Sequence, residues 1–554
     1  MPNDKPGRRE ETTAASRDPE PPPLRLRGGD ASGDLEPPPL RLRGADASEA
    51  PPLLPLISVD DAGMRAAPQP SLPPDKDALT QPAVRKPSVA AQLAPPVLAA
   101  GLTIYLARAL KPASAGIYVL AVAIGAVGLY AGWVGLPLLW AWTRSADHDA
   151  EEAGGTRAPK PPLQLVATAI GGLALLALAG TIAAAYGRPA LGWPLRWVAL
   201  AIIGQGVAWL LAEQVDVTRE SPIGARIAAA QGVIAVVDTV ALVAGGAGVA
   251  GAVLGLVPGC MVAAAAGYLL AMPAPTGLGG RSRAGRGHST ARLAGVGALS
   301  VADATWAALM LVDVVLVGAL VKAPALGRFG VVVLLGSALA GTAASASVAL
   351  AGRAARMPPA SAAERYSARL RFMIVAQGVM VAPMIVWAEP LTHLLFGHAY
   401  GSAGGALRAL AVFSFAAGPA WLMTRFVTRL DVVRSRLLAT SLPIEAGLIA
   451  TYVLTRSDGI VGAAIALDAL VVVYLAVHLK VASSLIDLSR LLRTLGRTAL
   501  AAIVMAVLLY GAGTRDLSAV GWVTGAIGGV AAFAAVLLVT GEVSLAQLWR
   551  RASL

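Results

Sequence analysis

Apolar residues come in runs long enough to cross a bilayer. Past residue 87 the chain alternates such runs with short polar or Gly/Pro-rich breaks. The runs lie near 88–107, 116–140, 163–185, 191–212, 224–243 and 246–271, then near 295–320, 327–351, 370–388, 403–424, 437–454 and 459–479. Two more follow near 496–512 and 518–540. Most can cover roughly 30 Å of hydrocarbon as a helix, so the pattern predicts an all-α polytopic membrane protein with about fourteen transmembrane helices.

The pattern also repeats. Residues 110–125 (LKPASAGIYVLAVAIG) align with residues 321–336 (VKAPALGRFGVVVLLG), placing Lys111 on Lys322, Gly116 on Gly327, Tyr118 on Phe329, Val122 on Val333 and Gly125 on Gly336. A hairpin that recurs at this interval predicts two related six-helix lobes, 88–272 and 291–480, with an extra helix pair in 496–540. Prolines inside the runs (Pro95, Pro96, Pro137, Pro258, Pro383, Pro419 and Pro443) are expected to bend helices, although close packing of small residues would leave a similar trace.

Composition agrees with this picture: 56% of the 554 residues are hydrophobic and 14% charged. Residues 1–87 are different, rich in Pro, Gly and charge, with EPPPLRLRGGDAS (20–32) repeated as EPPPLRLRGADAS (36–48). This tail is expected to be disordered and to stay on the protein, since it has no signal-peptide apolar core. Its PPPLRLR motif could dock a cytoplasmic partner, or it could be a duplicated low-complexity segment with no fixed partner.

The net charge of +12 would suggest nucleic acid in a soluble chain. Here the basic residues lie between apolar runs, and no nucleic-acid partner is expected. With both termini placed inside, the inner loops hold more than twice as many basic residues as the outer turns. That assigns the protein to the inner (cytoplasmic) membrane, with the bilayer as a partner. The exceptions on the outer side include Arg108, Arg188, Arg328 and Arg408. All outer turns are short, which argues against a glycan polymerase or ligase. The chain contains no GxxxxGK[ST] loop and no hydrolase-like grouping of its five His, so no enzyme activity is expected. Cys260 stands alone in an apolar run, which excludes an internal disulfide and leaves core packing as its role. No zinc-type spacing exists, and no cofactor is expected beyond a transported Na⁺ or H⁺.

Ionisable residues inside spans are the sharpest functional signal, because a lipid-facing charge is costly. Asp238 falls in the fifth run, Asp303 and Asp313 in the seventh, Glu445 in the eleventh and Asp468 in the twelfth. Glu445 and Asp468 lie near mid-depth on two arms of one hairpin, and Asp303 can reach a similar level. These three are candidates for an ion-coupling site, because neutralising paired carboxylates would favour one cavity state. The competing reading is that each acid pairs with a neighbouring Arg, Ser or Thr as helix glue. Arg108, at the outer end of the first span, is a candidate cation for an anionic cargo.

Several motifs resemble those of one family. The ARALKPASAGIY stretch from Ala107, ending its span at Trp142 and Arg144, resembles the opening of polysaccharide (Wzx-type) flippases. Here Leu110, Lys111 and Pro112 stand where that family has Leu-Gly-Pro. DVVLVGAL from Asp313, then Leu326, Gly327 and Phe329, resembles the start of its second lobe. So do LLFGHAY (394–400) with Leu407 and Arg408, and DGIVGAA from Asp458. The family belongs to the multidrug/oligosaccharidyl-lipid/polysaccharide (MOP) exporter superfamily, which includes the lipid II flippases. The likeness covers about residues 88–480.

This resemblance implies two six-helix lobes around a central cavity that opens alternately inward and outward and, as cargo, a polyprenyl-(pyro)phosphate-linked glycan for the cell envelope. It implies cavity arginines in the first, second and eighth helices, hence Arg108, Arg144, Arg353 and Arg356, although the last three also suit positive-inside anchoring. It implies a cation site among the seventh, eleventh and twelfth spans. It makes Asp313 the family's seventh-span position, facing Arg108 across the lobes, and the last two spans a groove for the lipid tail. The alternatives are a drug/cation antiporter of the same fold and a non-transporting scaffold that recruits glycan-assembly enzymes through the tail.

Overall fold

The computed structural model describes residues 89–146, 163–219, 223–271, 311–354, 359–429, 433–514 and 517–542. The duplicated tail motif and Asp303 lie outside these. Among the described residues there is no strand. An apolar chain in lipid must satisfy its own backbone groups, and the helix does so within each segment.

The first lobe comprises α1 (Val89–Ala109), α2 (Pro112–Ala146), α3 (Leu163–Ala185), α4 (Gly192–Arg219), α5 (Ile223–Leu242), α6 (Gly248–Leu254) and α7 (Leu256–Ala271). The second comprises α8 (Leu311–Leu320), α9 (Ala323–Ala354), α10 (Pro359–Val386), α11 (Ala388–Phe396), α12 (Gly404–Ala409), α13 (Ala411–Arg429) and α14 (Val433–Val481). Two further helices follow, α15 (Leu488–Ala512) and α16 (Ala519–Val539).

Among the described residues nine helices are long and apolar enough to cross a membrane, or ten if the bent α12–α13 pair is one span. Three shorter apolar helices, Pro96–Ala109, Leu256–Leu270 and Leu311–Leu320, accompany them. The chain is thus an all-α, multi-pass membrane protein.

Alternating helix direction brings the links α1–α2, α3–α4 and α8–α9 to one end of the bundle, here the short-turn face. The starts of α3, α10 and α15 and the end of α16 lie at the opposite loop face. α14 holds two limbs, because Gly459 at φ 60° reverses the chain at the short-turn face. Only glycine adopts that conformation without strain. A continuous core joins the lobes through Leu120 on α2, Phe329 and Val332 on α9, Phe413 on α13 and Leu467 on α14. A separate cluster of Trp387, Met505, Leu509 and Phe533 fastens α15 and α16 to α10.

Among the described residues the helix breaks do not coincide with Pro383, Pro419 or Pro443. All three lie inside helices that continue past them on both sides. Breaks come instead at Gly246 (φ 90°), at Gly459, and at Leu410, where a bend of 55° separates His398–Ala409 from Ala411–Val427. A proline removes one donor, which a helix packed among neighbours tolerates, whereas a positive φ turns the chain outright.

Candidate transport pathway and coupling site

The two copies of the repeat meet each other. A Cβ on Gly327 would lie 1.8 Å from the carbonyl oxygen of Pro112, and one on Gly116 would lie 2.1 Å from that of Ala323. The first turns of α2 and α9 therefore touch backbone to backbone, and hydrogen atoms in place of side chains allow that approach.

Hydrogen bonds close the same seam. The Tyr400 hydroxyl donates to the Leu110 carbonyl at 3.2 Å, and the Tyr186 hydroxyl to that of Val315 at 3.1 Å. Arg108 donates through Nε to the Leu395 carbonyl at 2.9 Å and through a terminal nitrogen to that of Leu394. Arg188 donates to the Val321 carbonyl. The carbonyls held by the two arginines lie at the C-terminal ends of α11 and α8, where oxygens lack intrahelical partners and the dipole favours a cation. Burial pulls the Arg188 guanidinium below its ordinary pKa, with the nearby Tyr186 opposing, and its second terminal nitrogen is buried without a hydrogen bond among the described residues. Arg188 is a seam residue that motif reading passes over. The available signal is its place on an outer turn, where the positive-inside bias gives no reason for an arginine.

Of the candidate cavity cations, Arg108 is exposed and committed to the α11 carbonyls. Arg144 lies in the last turn of α2 and Arg353 in that of α9, with side chains outside the described set; Arg356 lies outside the described residues altogether. A further arginine, Arg425 on α13, is 7% exposed and sits over the Trp421 ring, 4.1 Å from its centroid. The i, i+4 spacing of Trp and Arg on one helix is the signal for it.

The acids separate by environment. Asp313 on α8 is fully buried; its Oδ1 accepts from the Thr451 hydroxyl on α14 at 3.0 Å, while its Oδ2 is buried with no partner among the described residues. It does not meet Arg108, which is engaged by α11. Asp468, half-buried on the second limb of α14, accepts the Phe413 backbone N–H at 2.7 Å. Phe413 stands in the first turn of α13, just past the bend at Leu410, so this carboxylate caps a broken helix from a neighbouring one. Glu445 lies on an exposed side of the first limb, and no hydrogen bond or ion pair joins it to Asp468. Asp238 is half-buried on α5. Asp313, Thr451 and Asp468 thus occupy α8 and the two limbs of α14. Among the described residues no group of three or more His, Cys, Asp or Glu could hold a metal ion. Cys260 is a buried free thiol beside Gln205, 3.5 Å from its Oε1.

Two lobes thus join through copies of one hairpin, with Asp313 and Arg425 buried between helices. The sequence matches no known family profile. It matches no curated protein. Comparison with solved structures is informative: the chain resembles the lipid II flippase MurJ in an inward closed conformation, with a TM-score of 0.56 at 11% identity, over 81% of this chain and 98% of that one. It also aligns with an inward-facing multidrug resistance MATE family transporter of the MOP superfamily, with a TM-score of 0.48 at 14% identity, over 72% of this chain and 98% of that one. The chain therefore shares its fold with the lipid II flippase structure.

Proposed function

We propose that the protein is a flippase that moves a polyprenyl-(pyro)phosphate-linked oligosaccharide or cell-wall precursor across the cytoplasmic membrane by alternating access. The observation that carries this reading is the seam between the repeats, an interface that closes one face of a two-lobed exporter fold. The basic bias of the loop face makes that face cytoplasmic, both termini inside, and the seam the outer gate. An unpaired pyrophosphate is very costly in hydrocarbon, so the cargo needs cations along its path. Arg108, Arg144, Arg353 and Arg356 are the proposed set, joined by Arg425.

Coupling is to Na⁺ or H⁺. Asp303, Glu445 and Asp468 remain proposed ligands, and Asp313 joins them because its buried free oxygen is where a cation or proton would be held. Ion occupancy would then favour one lobe arrangement over the other. The deciding experiment depletes the protein and locates the lipid-linked glycan. Accumulation in the inner leaflet, reversed by wild type and not by well-expressed Asp313→Asn, supports the reading. Normal lipid intermediates after depletion would overturn it and favour the scaffold, while sensitivity to cationic dyes alone would favour the antiporter.

A further inference from the structure

A second charged site lies away from the seam, at the loop face, where α10, α15 and the segment leaving α16 converge. A cleft of about 190 Å³ is lined by Arg371, Arg490, Arg493, Thr494, Arg497 and Glu542. Four arginines here face one carboxylate. Arg497 pairs with Glu542 at 2.8 Å, and Thr494 donates to the same carboxylate at 2.6 Å. Arg490 pairs with Asp487 at 3.1 Å. Arg371 and Arg493 have no carboxylate partner among the described residues, and the Nε of Arg371 is buried without an acceptor. A buried donor without an acceptor is costly to leave so, and an anion in the cleft would satisfy it.

The surroundings say where such an anion would come from. Adjacent to these arginines in the chain, Phe372 on α10 is 44% exposed, and Leu492 and Leu495 on α15 are 64% and 38% exposed. A basic pocket bordered by exposed apolar side chains at a membrane face matches an amphiphile with a phosphate head and acyl tails. We propose that this cleft binds the phosphate of an anionic phospholipid from the leaflet at the loop face, holding the α15–α16 pair against α10. This site is separate from the transport pathway and stands whether or not the cargo assignment does.

The test uses the full chain purified in detergent, with native mass spectrometry after addition of phosphatidylglycerol or phosphatidylcholine. Wild type should retain phosphatidylglycerol in preference. Arg371→Gln with Arg493→Gln should weaken that retention by roughly 25-fold, taking about fivefold per arginine. Arg493→Gln alone, at an exposed position, keeps the test valid if the double variant folds poorly, and should lose about fivefold. Arg456→Gln, on the opposite face, should change nothing. Equal retention by wild type and both variants overturns the proposal. So does binding of inorganic phosphate at the cleft with no preference between the two lipids, which would mark a site for a soluble phosphate.

Discussion

Replacing Gly327 with alanine tests the seam. By helix propensity alone Gly→Ala should stabilise α9 by about 1 kcal/mol. The contact says otherwise: the new Cβ would lie 1.8 Å from the Pro112 carbonyl oxygen and 2.9 Å from the Gly116 nitrogen. An ordinary C···O contact is about 3.3 Å or longer, so α2 and α9 must separate by roughly 1.5 Å. Both atoms met are backbone, and no rotamer change relieves them. Overpacking of this kind costs about 1–3 kcal/mol, charged only to the arrangement in which the seam is closed. If the lobes exchange between two arrangements, the closed one should lose roughly 5- to 150-fold in relative population. Spin labels at Lys111→Cys and Lys322→Cys, in a Cys260→Ala background, report the distance across the seam from two exposed, repeat-related positions. Electron–electron distance measurement should show a longer component gained in Gly327→Ala. Gly101→Ala, whose Cβ meets nothing within 4 Å, is the matched control and should leave the distribution unchanged. Identical distributions for the two variants, with Gly327→Ala well folded, would refute the argument.

Three further outcomes are expected. Asp468→Asn keeps an oxygen to accept the Phe413 N–H while removing the charge, and Asp468→Ala removes both; a cap alone predicts that only Ala lowers thermal stability, by about 1 kcal/mol, whereas coupling predicts that Asn also abolishes the ion dependence of transport. Thr451→Val strips the donor from the buried Asp313 and should cost about 1–3 kcal/mol, measured by thermal unfolding in detergent; no loss would mean that the carboxylate finds another partner. At the loop face, the Ser489 hydroxyl and the Arg490 N–H hold the Asp487 carboxyl below its usual 3.8. Its cap on α15 is therefore fully present above the ordinary carboxylate range and is lost as pH falls through the depressed value, which amide exchange at Arg490 and Leu491 should follow. Protection that does not change on acidification would sink that assignment.

Much of this architecture is legible in the chain because lipid enforces a simple rule on length and polarity. The runs near 496–512 and 518–540 return as α15 and α16, and the spacing of Gly116 and Gly327 marks the place where the lobes touch. That the two glycines touch each other could not be read, since an alignment relates them by symmetry without saying whether the axis passes between them. The bend at Leu410 was illegible for another reason: its freed N–H is satisfied by Asp468, 55 residues away, and local sequence holds no trace of that partner. Glu445 and Asp468 share a depth in the sequence, yet helix rotation turns Glu445 to an exposed side, and depth alone does not fix rotation. The arginines on the outer turns carried the opposite lesson. Each was an exception to the charge bias, and Arg108, Arg188, Arg328 and Arg408 all donate to backbone carbonyls.

Main-chain acceptors make the seam indifferent to acidity. Arginine stays charged, carbonyl oxygens do not titrate, and the tyrosine hydroxyls are neutral far above physiological pH. A proton or sodium gradient thus has no handle on these ties directly. It has one on α8. That helix carries Asp313, and it also supplies the Val315 carbonyl to Tyr186 and leads into the Val321 carbonyl held by Arg188. Eight residues of helix make about 12 Å of stiff rod between the acid and the last of these ties. In mechanical terms the proposed coupling would make α8 a pushrod: a change in what occupies Asp313 at one end would be felt as displacement at the latch on the other.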